Sequence, residues 1–316
     1  MPNPDPSALV LRLCTEVARA LHHAGTPAHR LEGAVDAVRA AYGVPGSIVV
    51  TPTALWLQVG EHAHIERLHA ADIDLATMGA VLRWSERLAA SPDRPVPVEA
   101  ARRALRRILA RPSPWPRHLE QTAFVASSAA AAVLLGGGVA DVLLAAVAGG
   151  LALAFLGRIG TASAWMPLRD ALLALLLGAV SALGAALGAS PSVVALSGAI
   201  LVVPGLSMTT ALAELASGHW TAGGSRLLGT ALVLAQLAGG LAAGWWLVGV
   251  QTPVVAPVAL PHLVVQLVPL LAPVAFAILL RSAQRDLPVT WLTAVLGWSA
   301  ATASPGLIGA LLGGIT

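Results

Sequence analysis

The chain has 316 residues, 56% of them hydrophobic and 11% charged, with a net charge of +3. Its mean hydropathy of +0.76 lies above the usual range of a soluble globular domain, and a single cysteine, Cys14, excludes an intramolecular disulfide. Residues 1–120 carry 14 arginines and 12 acids, whereas residues 121–316 carry only 5 and 4. A charge at the bilayer centre costs about 2.5–3.5 kcal/mol on insertion scales. This division therefore predicts an α-helical polytopic membrane protein with a small N-terminal cytosolic α/β domain.

The chain opens with Pro2, Pro4 and Pro6 and without a basic start leading into a pure apolar run. No signal peptide is expected, and the N-terminus is expected to stay in the cytosol. From Leu9 to about Tyr42, Leu11, Val17, Leu21, Leu31, Val35 and Val38 recur at helical spacing. Gly25-Thr26-Pro27 breaks this run, with Thr26 expected to cap the second helix. Ser47–Thr51, Ala54–Val59 and His64–Leu68 read as short strands around turns. Two helices, Leu75 to Ala90 and Pro97 to Ala110, flank the linker that starts at Ser91. Pro112, Pro114 and Pro116 then end the head.

Little chemistry is expected in the head. His62 and His64 share one strand face near His69, but no cysteine or acidic cluster completes a metal shell, so a solvated face is expected. His22 and His23 are adjacent on a helix and their rings diverge. A Gly-rich phosphate loop, a nucleophile elbow and paired catalytic carboxylates are all lacking, so neither an enzyme nor a cofactor is expected. Arg102, Arg103, Arg106 and Arg107 precede the first apolar run. They are read as attraction to the anionic inner leaflet and as topology signals, not as a nucleic-acid site.

Seven apolar runs of near-spanning length follow, at about 121–138, 140–157, 167–188, 191–212, 225–249, 257–280 and 288–312. With the head in the cytosol, Arg158, Arg169, Arg226, Arg281 and Arg285 all fall on the inner side. The outer turns, around Gly138, Ala189 and Val250–Ala256, contain no arginine. Gly136-Gly137-Gly138, Gly149-Gly150, and Gly239-Gly240 with Gly244 are expected at close helix contacts.

The fourth run differs from the rest, because Pro204-Gly205 falls in mid-span, followed by Ser207, Thr209 and Thr210. Pro204 removes one N–H and disrupts the preceding turn. Irregular backbone at membrane depth needs a protein or water-lined environment. The N–H groups that open a second half-helix there could meet a carboxylate. Pro204, Gly205, Ser207, Thr209 and Thr210 are thus candidate substrate-binding residues, although Ser and Thr hydroxyls at a kink also serve simply to satisfy freed backbone. Glu214, His219 and Arg226 lie just beyond, at the expected cytosolic mouth, and with Asp141 they are candidates for coupling or gating. Asp170 beside Arg169 reads as a local ion pair. None of the acids is clearly at the midplane, so a proton relay has little support.

Several fragments resemble the threonine/serine exporter family: Ala24-Gly-Thr-Pro-Ala-His-Arg-Leu-Glu32, the Asp74-Leu75 and Glu99-Ala100 helix starts, Pro114-Trp-Pro116 and Gly136-Gly-Gly-Val-Ala-Asp141. Val203-Pro-Gly-Leu206, Glu214-Leu, Ser217-Gly-His219 and Gly224-Ser-Arg226 complete the set, over about residues 10–250. The resemblance implies an inner-membrane secondary transporter that exports small polar amino acids from the cytosol, driven by the membrane potential or a proton gradient. A dicarboxylate exporter of succinate type is the alternative within the class, and a non-transporting scaffold or sensor the alternative outside it. The resemblance further implies ten spans, of which residues 257–303 supply only the opening of the second block, and Ser304-Pro305-Gly306 only faintly echoes a second Pro-Gly element. A partner subunit or a homo-oligomer is therefore expected to supply the remainder. The resulting division is a head at 1–118, a five-helix core at 119–250 and a partial second block at 251–316.

Overall fold

The computed structural model describes residues 5–69, 73–90, 96–159, 165–249 and 258–303. In chain order they form α1 (Pro6–His23), α2 (Ala28–Ala41), β1 (Gly46–Thr51), β2 (Ala54–Val59), β3 (His62–Arg67), α3 (Leu75–Ala89) and α4 (Val98–Leu109). Then follow α5 (Arg117–Leu134), α6 (Val139–Ile159), α7 (Arg169–Gly184), α8 (Pro191–Ala199), α9 (Gly205–Ala216), α10 (Trp220–Val248), α11 (His262–Leu279) and α12 (Leu287–Ala303). They make two compact units: the residues up to Pro114 with Pro204–Ala231, and Trp115–Val203 with the residues from Leu232 onward.

In the first unit, Asp5 caps α1 by accepting the Ser7 N–H, with Pro6 in the first turn. Gly25, at φ 77°, ends the α1 turn where the sequence predicts a break. Of the predicted periodic residues, Val17 and Leu21 of α1 and Leu31, Val35 and Val38 of α2 lie in the core, whereas Leu11 only packs against it half-buried and the unpredicted Leu13 takes a core place. The strands pair antiparallel in the order β1-β2-β3. Their inner face adds Ile48, Val50, Leu55, Leu57 and Val59, while Val81 and Leu105 close the core from α3 and α4. All three strands lie within two residues of their expected positions. His62 and His64 each face a carboxylate: His62 Nε2 lies 2.7 Å from Asp5 Oδ2, and His64 Nε2 lies 3.1 Å from Glu66 Oε2.

One expectation is corrected here. Thr26 does not cap α2: the cap position is Pro27, and the Thr26 hydroxyl is buried without a partner. It stands one residue too early to reach the first free N–H groups of the helix.

Burial holds His22 below its ordinary pKa, against the pull of its Nε2 contact to the His69 carbonyl at 2.9 Å. Glu16 is half-buried, which by itself raises its pKa, but the Arg102 and Arg106 guanidiniums outweigh this and hold it low. For His22 the unfolded chain takes up a proton near pH 6.5 while the folded chain resists it. The stability it contributes is complete above that pH and is lost below it; the Glu16 contribution is lost at lower pH, below 4.5. Cys14 reports on this core, because it is fully buried and its thiol is pushed up to about 12 by burial. We expect the temperature at which Cys14 becomes reactive to a thiol dye to fall between about pH 7.5 and about pH 5.5. His22→Gln should flatten that dependence, and an unchanged slope would remove His22 from the account.

Among the described residues, the helices of the second unit long and apolar enough to cross a membrane are Val139–Ile159, Met166–Leu187 and His262–Leu279; Trp220–Val248, which belongs to both units, is a fourth. They match four of the seven expected spans. Of the others, α5 opens on the polar run Arg117-His118-Leu119-Glu120-Gln121. The 191–212 run is divided into α8 and α9, and α12 has 17 described residues. The expected outer turn at Val250–Ala256 and the Ser304-Pro305-Gly306 element lie outside the described residues.

Glycines set the contact of α7 with α10. A Cβ added to Gly240 would fall 2.4 Å from the Ala171 carbonyl oxygen, and one on Gly244 would fall 2.4 Å from that of Leu175. One on Gly178 would lie 2.5 Å from the Leu241 oxygen. These neighbours are backbone and have no rotamer to change, so the small-residue seam fixes the approach of the two helices. Trp245 closes the same contact, with its Nε1–H donating to Ser181 Oγ at 2.9 Å.

Candidate functional site

The break at Pro204 is present and complete. α8 ends at Ala199, and the Val202 and Val203 N–H groups both turn back onto the Ala199 carbonyl. Pro204, at φ −80° and ψ 49°, then begins α9 without a side-chain cap. The N–H groups in the first turn of α9 consequently have no partner within the helix. Gly205 is exposed, and a Cβ there would meet nothing within 4 Å. Thr209 follows the simpler of the two readings of its hydroxyl: Oγ1 donates back to the Gly205 carbonyl at 2.8 Å, with the Leu206 carbonyl at 3.1 Å. Ser207 and Thr210 are half-buried on the same turn.

Ten residues further on, about 15 Å along α9 at 1.5 Å per residue, lies a polar cluster. Glu214 is completely buried. Arg226, in the second turn of α10, donates Nε to Glu214 Oε2 at 3.0 Å and Nη2 to Oε1 at 3.1 Å. The third donor is the Ala28 N–H, 186 residues away, at 2.8 Å from Oε1. Glu214 thus supplies the cap that neither Thr26 nor Pro27 gives α2. A buried carboxylate is tolerable only with such partners, and a two-pronged guanidinium with an N–H at a helix start is a strong set.

His219 is placed by the end of α9. Gly218 adopts φ 83°, and the His219 N–H returns to the Glu214 carbonyl at 2.9 Å. The His219 ring then sets Nε2 3.0 Å from Glu32 Oε2, and the other Glu32 oxygen accepts the Val50 N–H of β1 at 2.9 Å. The His29 ring centroid lies 6.0 Å from that of His219. Glu214 and Arg226 are thus paired side chain to side chain, and His219 joins them through its N–H on the Glu214 carbonyl.

Sequence reasoning did not assign Ala28, His29 and Glu32 to this site. The signal was available: the fragment Ala24–Glu32 and the fragments around Glu214 and Arg226 carry much of the family resemblance, and the fold places them against each other. Distance in sequence concealed the contact.

Asp141 belongs to the second unit and has its own partners. It is completely buried, accepting the Gly138 N–H at 2.7 Å and the Ser190 N–H at 2.6 Å. It thereby ties the start of α6 to the cap position of α8. Gly137 packs against it so tightly that an added Cβ would lie 2.8 Å from the Asp141 Cβ. We expect Asp141→Ala to lower the stability of this unit by roughly 3 kcal/mol, since two buried N–H groups lose their acceptor. Thermal unfolding in detergent measures this, and a loss near zero would leave Asp141 free for another role. Asp170 is the expected local pair, with Arg169 Nε at 2.9 Å from Oδ1.

Among the described residues, no group of three or more histidine, cysteine, aspartate or glutamate side chains has the geometry to hold a metal ion.

No curated protein and no solved structure matches the chain. A family model described as "Putative threonine/serine exporter" matches residues 12–248, a stretch that takes in both halves of the polar cluster and ends with the last residue of α10. The chain belongs to the threonine/serine exporter family.

Proposed function

We propose that the chain is a secondary transporter of the bacterial inner membrane that carries threonine, serine or similar small polar amino acids out of the cytosol. The family match carries this reading. Two structural features support it. The uncapped start of α9 at Pro204, with open space in front of Gly205, suits a small zwitterion entering beside free N–H groups. The Arg226 fork and the Ala28 N–H, held here by Glu214, form a donor pair suited to a carboxylate. In this reading the N-terminal domain is cytosolic, seven helices cross the membrane, and a second copy or a partner subunit completes the carrier.

The test is a substrate panel in proteoliposomes holding the full chain, with threonine, serine and succinate each loaded inside under an imposed membrane potential. The proposal expects threonine and serine to leave faster than from protein-free liposomes, with succinate retained. Succinate release with threonine retained would replace the amino-acid reading by a dicarboxylate one.

A further inference from the structure

α2 is a 14-residue helix without a side-chain cap from its own neighbourhood. Its first N–H, from Ala28, instead donates to a carboxylate that also receives the Nε and Nη2 of Arg226. Planar guanidinium and helix-start N–H together are the donor set that recognises a free carboxylate. Here the carboxylate is the chain's own, and it is fully enclosed. Unused polar groups lie at the same helix start. Thr26, only 3% exposed, has its hydroxyl buried without a partner, and so does the Nδ1 of His29. A site that served only to hold Glu214 would need neither group. A ligand carrying a hydroxyl or an ammonium beside its carboxylate would use both.

We infer that Arg226 and the Ala28 N–H form a carboxylate receptor that Glu214 fills as an internal competitor, and that the carboxylate of the transported molecule takes its place. That the molecule is an amino acid rests on the exporter reading above; the receptor itself rests on the geometry. Displacement releases Glu214 and hands the cap of α2 to the ligand carboxylate, so ligand binding breaks the tie between the start of α2 and α9. Glu32–His219 remains as a second tie between α2 and the end of α9. The apparent affinity for a free carboxylate is then the intrinsic one reduced by the fraction of time Glu214 is away.

The experiment uses the full chain in lipid nanodiscs and reads binding by saturation-transfer NMR. Threonine is the ligand, with acetate (a carboxylate alone) and threoninol (threonine without its carboxylate) as competitors. Glu214→Gln keeps an oxygen for the Ala28 N–H but loses the charge that holds Arg226. It is expected to lower the threonine Kd by about tenfold, as for a binding state populated at about one part in ten. Acetate should compete and threoninol should not, and Arg226→Lys, which lacks the planar fork, should abolish acetate competition. Protection of Cys14 from a thiol dye verifies that each variant is folded. Weaker threonine binding by folded Glu214→Gln, or competition by threoninol alone, overturns the inference and makes Glu214 an ammonium acceptor. Threonine export by the wild-type chain with no acetate competition in any variant sinks the receptor and leaves the exporter reading standing. Acetate binding with the expected variant pattern but no threonine binding supports the receptor and sinks the amino-acid reading.

Discussion

Arg226→Ala is expected to reduce threonine efflux to the level of cells carrying empty vector, while Arg281→Ala keeps most of it. Both arginines sit on the expected inner side, so a role in topology alone gives them equal weight. Their surroundings differ. Arg226 pairs with a carboxylate that has no exposure at all, whereas Arg281 lies 3.4 Å from Glu120 with 39% of its side chain exposed. Removing one partner of a buried pair costs about 3–5 kcal/mol, because the other charge is left in place without it. A partly exposed pair is worth about 0–1 kcal/mol. The Arg226 variant therefore loses the binding partner and leaves the buried Glu214 without its guanidinium. The comparison is made by efflux at matched amounts of membrane-inserted protein, and equal efflux by the two variants would reduce Arg226 to a topology signal.

Pro204→Leu should also abolish efflux, while the protein remains in the membrane at its normal level. Leucine accepts the φ of −80° and restores an N–H, so α8 and α9 gain the means to run as one helix. The uncapped N–H groups at the start of α9 would then be spent within the helix, and the open space before Gly205 would lose its polar wall. Hydrophobic content rises in this variant, so insertion is not expected to suffer. Normal efflux from Pro204→Leu would remove the break, and Gly205, Ser207, Thr209 and Thr210 with it, from the transport site.

The head was legible in the sequence because its signals are local. Leu11 to Val38 repeat at helical period, Gly25 and Pro27 punctuate, and three alternating runs are separated by short turns. The break at Pro204 was equally legible, since proline leaves the preceding turn no alternative. The partnership of Glu214 with Ala28 was not. The acceptor reads as one acid at a helix end, and the donor is a backbone N–H that no residue type announces. Thr26 was misread for the same reason: its type suits a cap, and only the placement of Pro27 as the cap residue denies it that role. The glycine seam shows the limit from the other side. Gly240 and Gly244 touch α7, whereas Gly239 beside them meets nothing within 4 Å, a difference that depends on helix rotation and not on composition.

Whether this chain moves threonine decides between transport and a purely structural role. Cells expressing it are preloaded with a threonine-containing dipeptide, and the labelled threonine released to the medium is followed against empty vector, with membrane insertion checked on the same cells. Faster release from the expressing cells is expected, lost in Arg226→Ala and Pro204→Leu. Release equal to empty vector, with the chain in the membrane, would contradict the exporter reading.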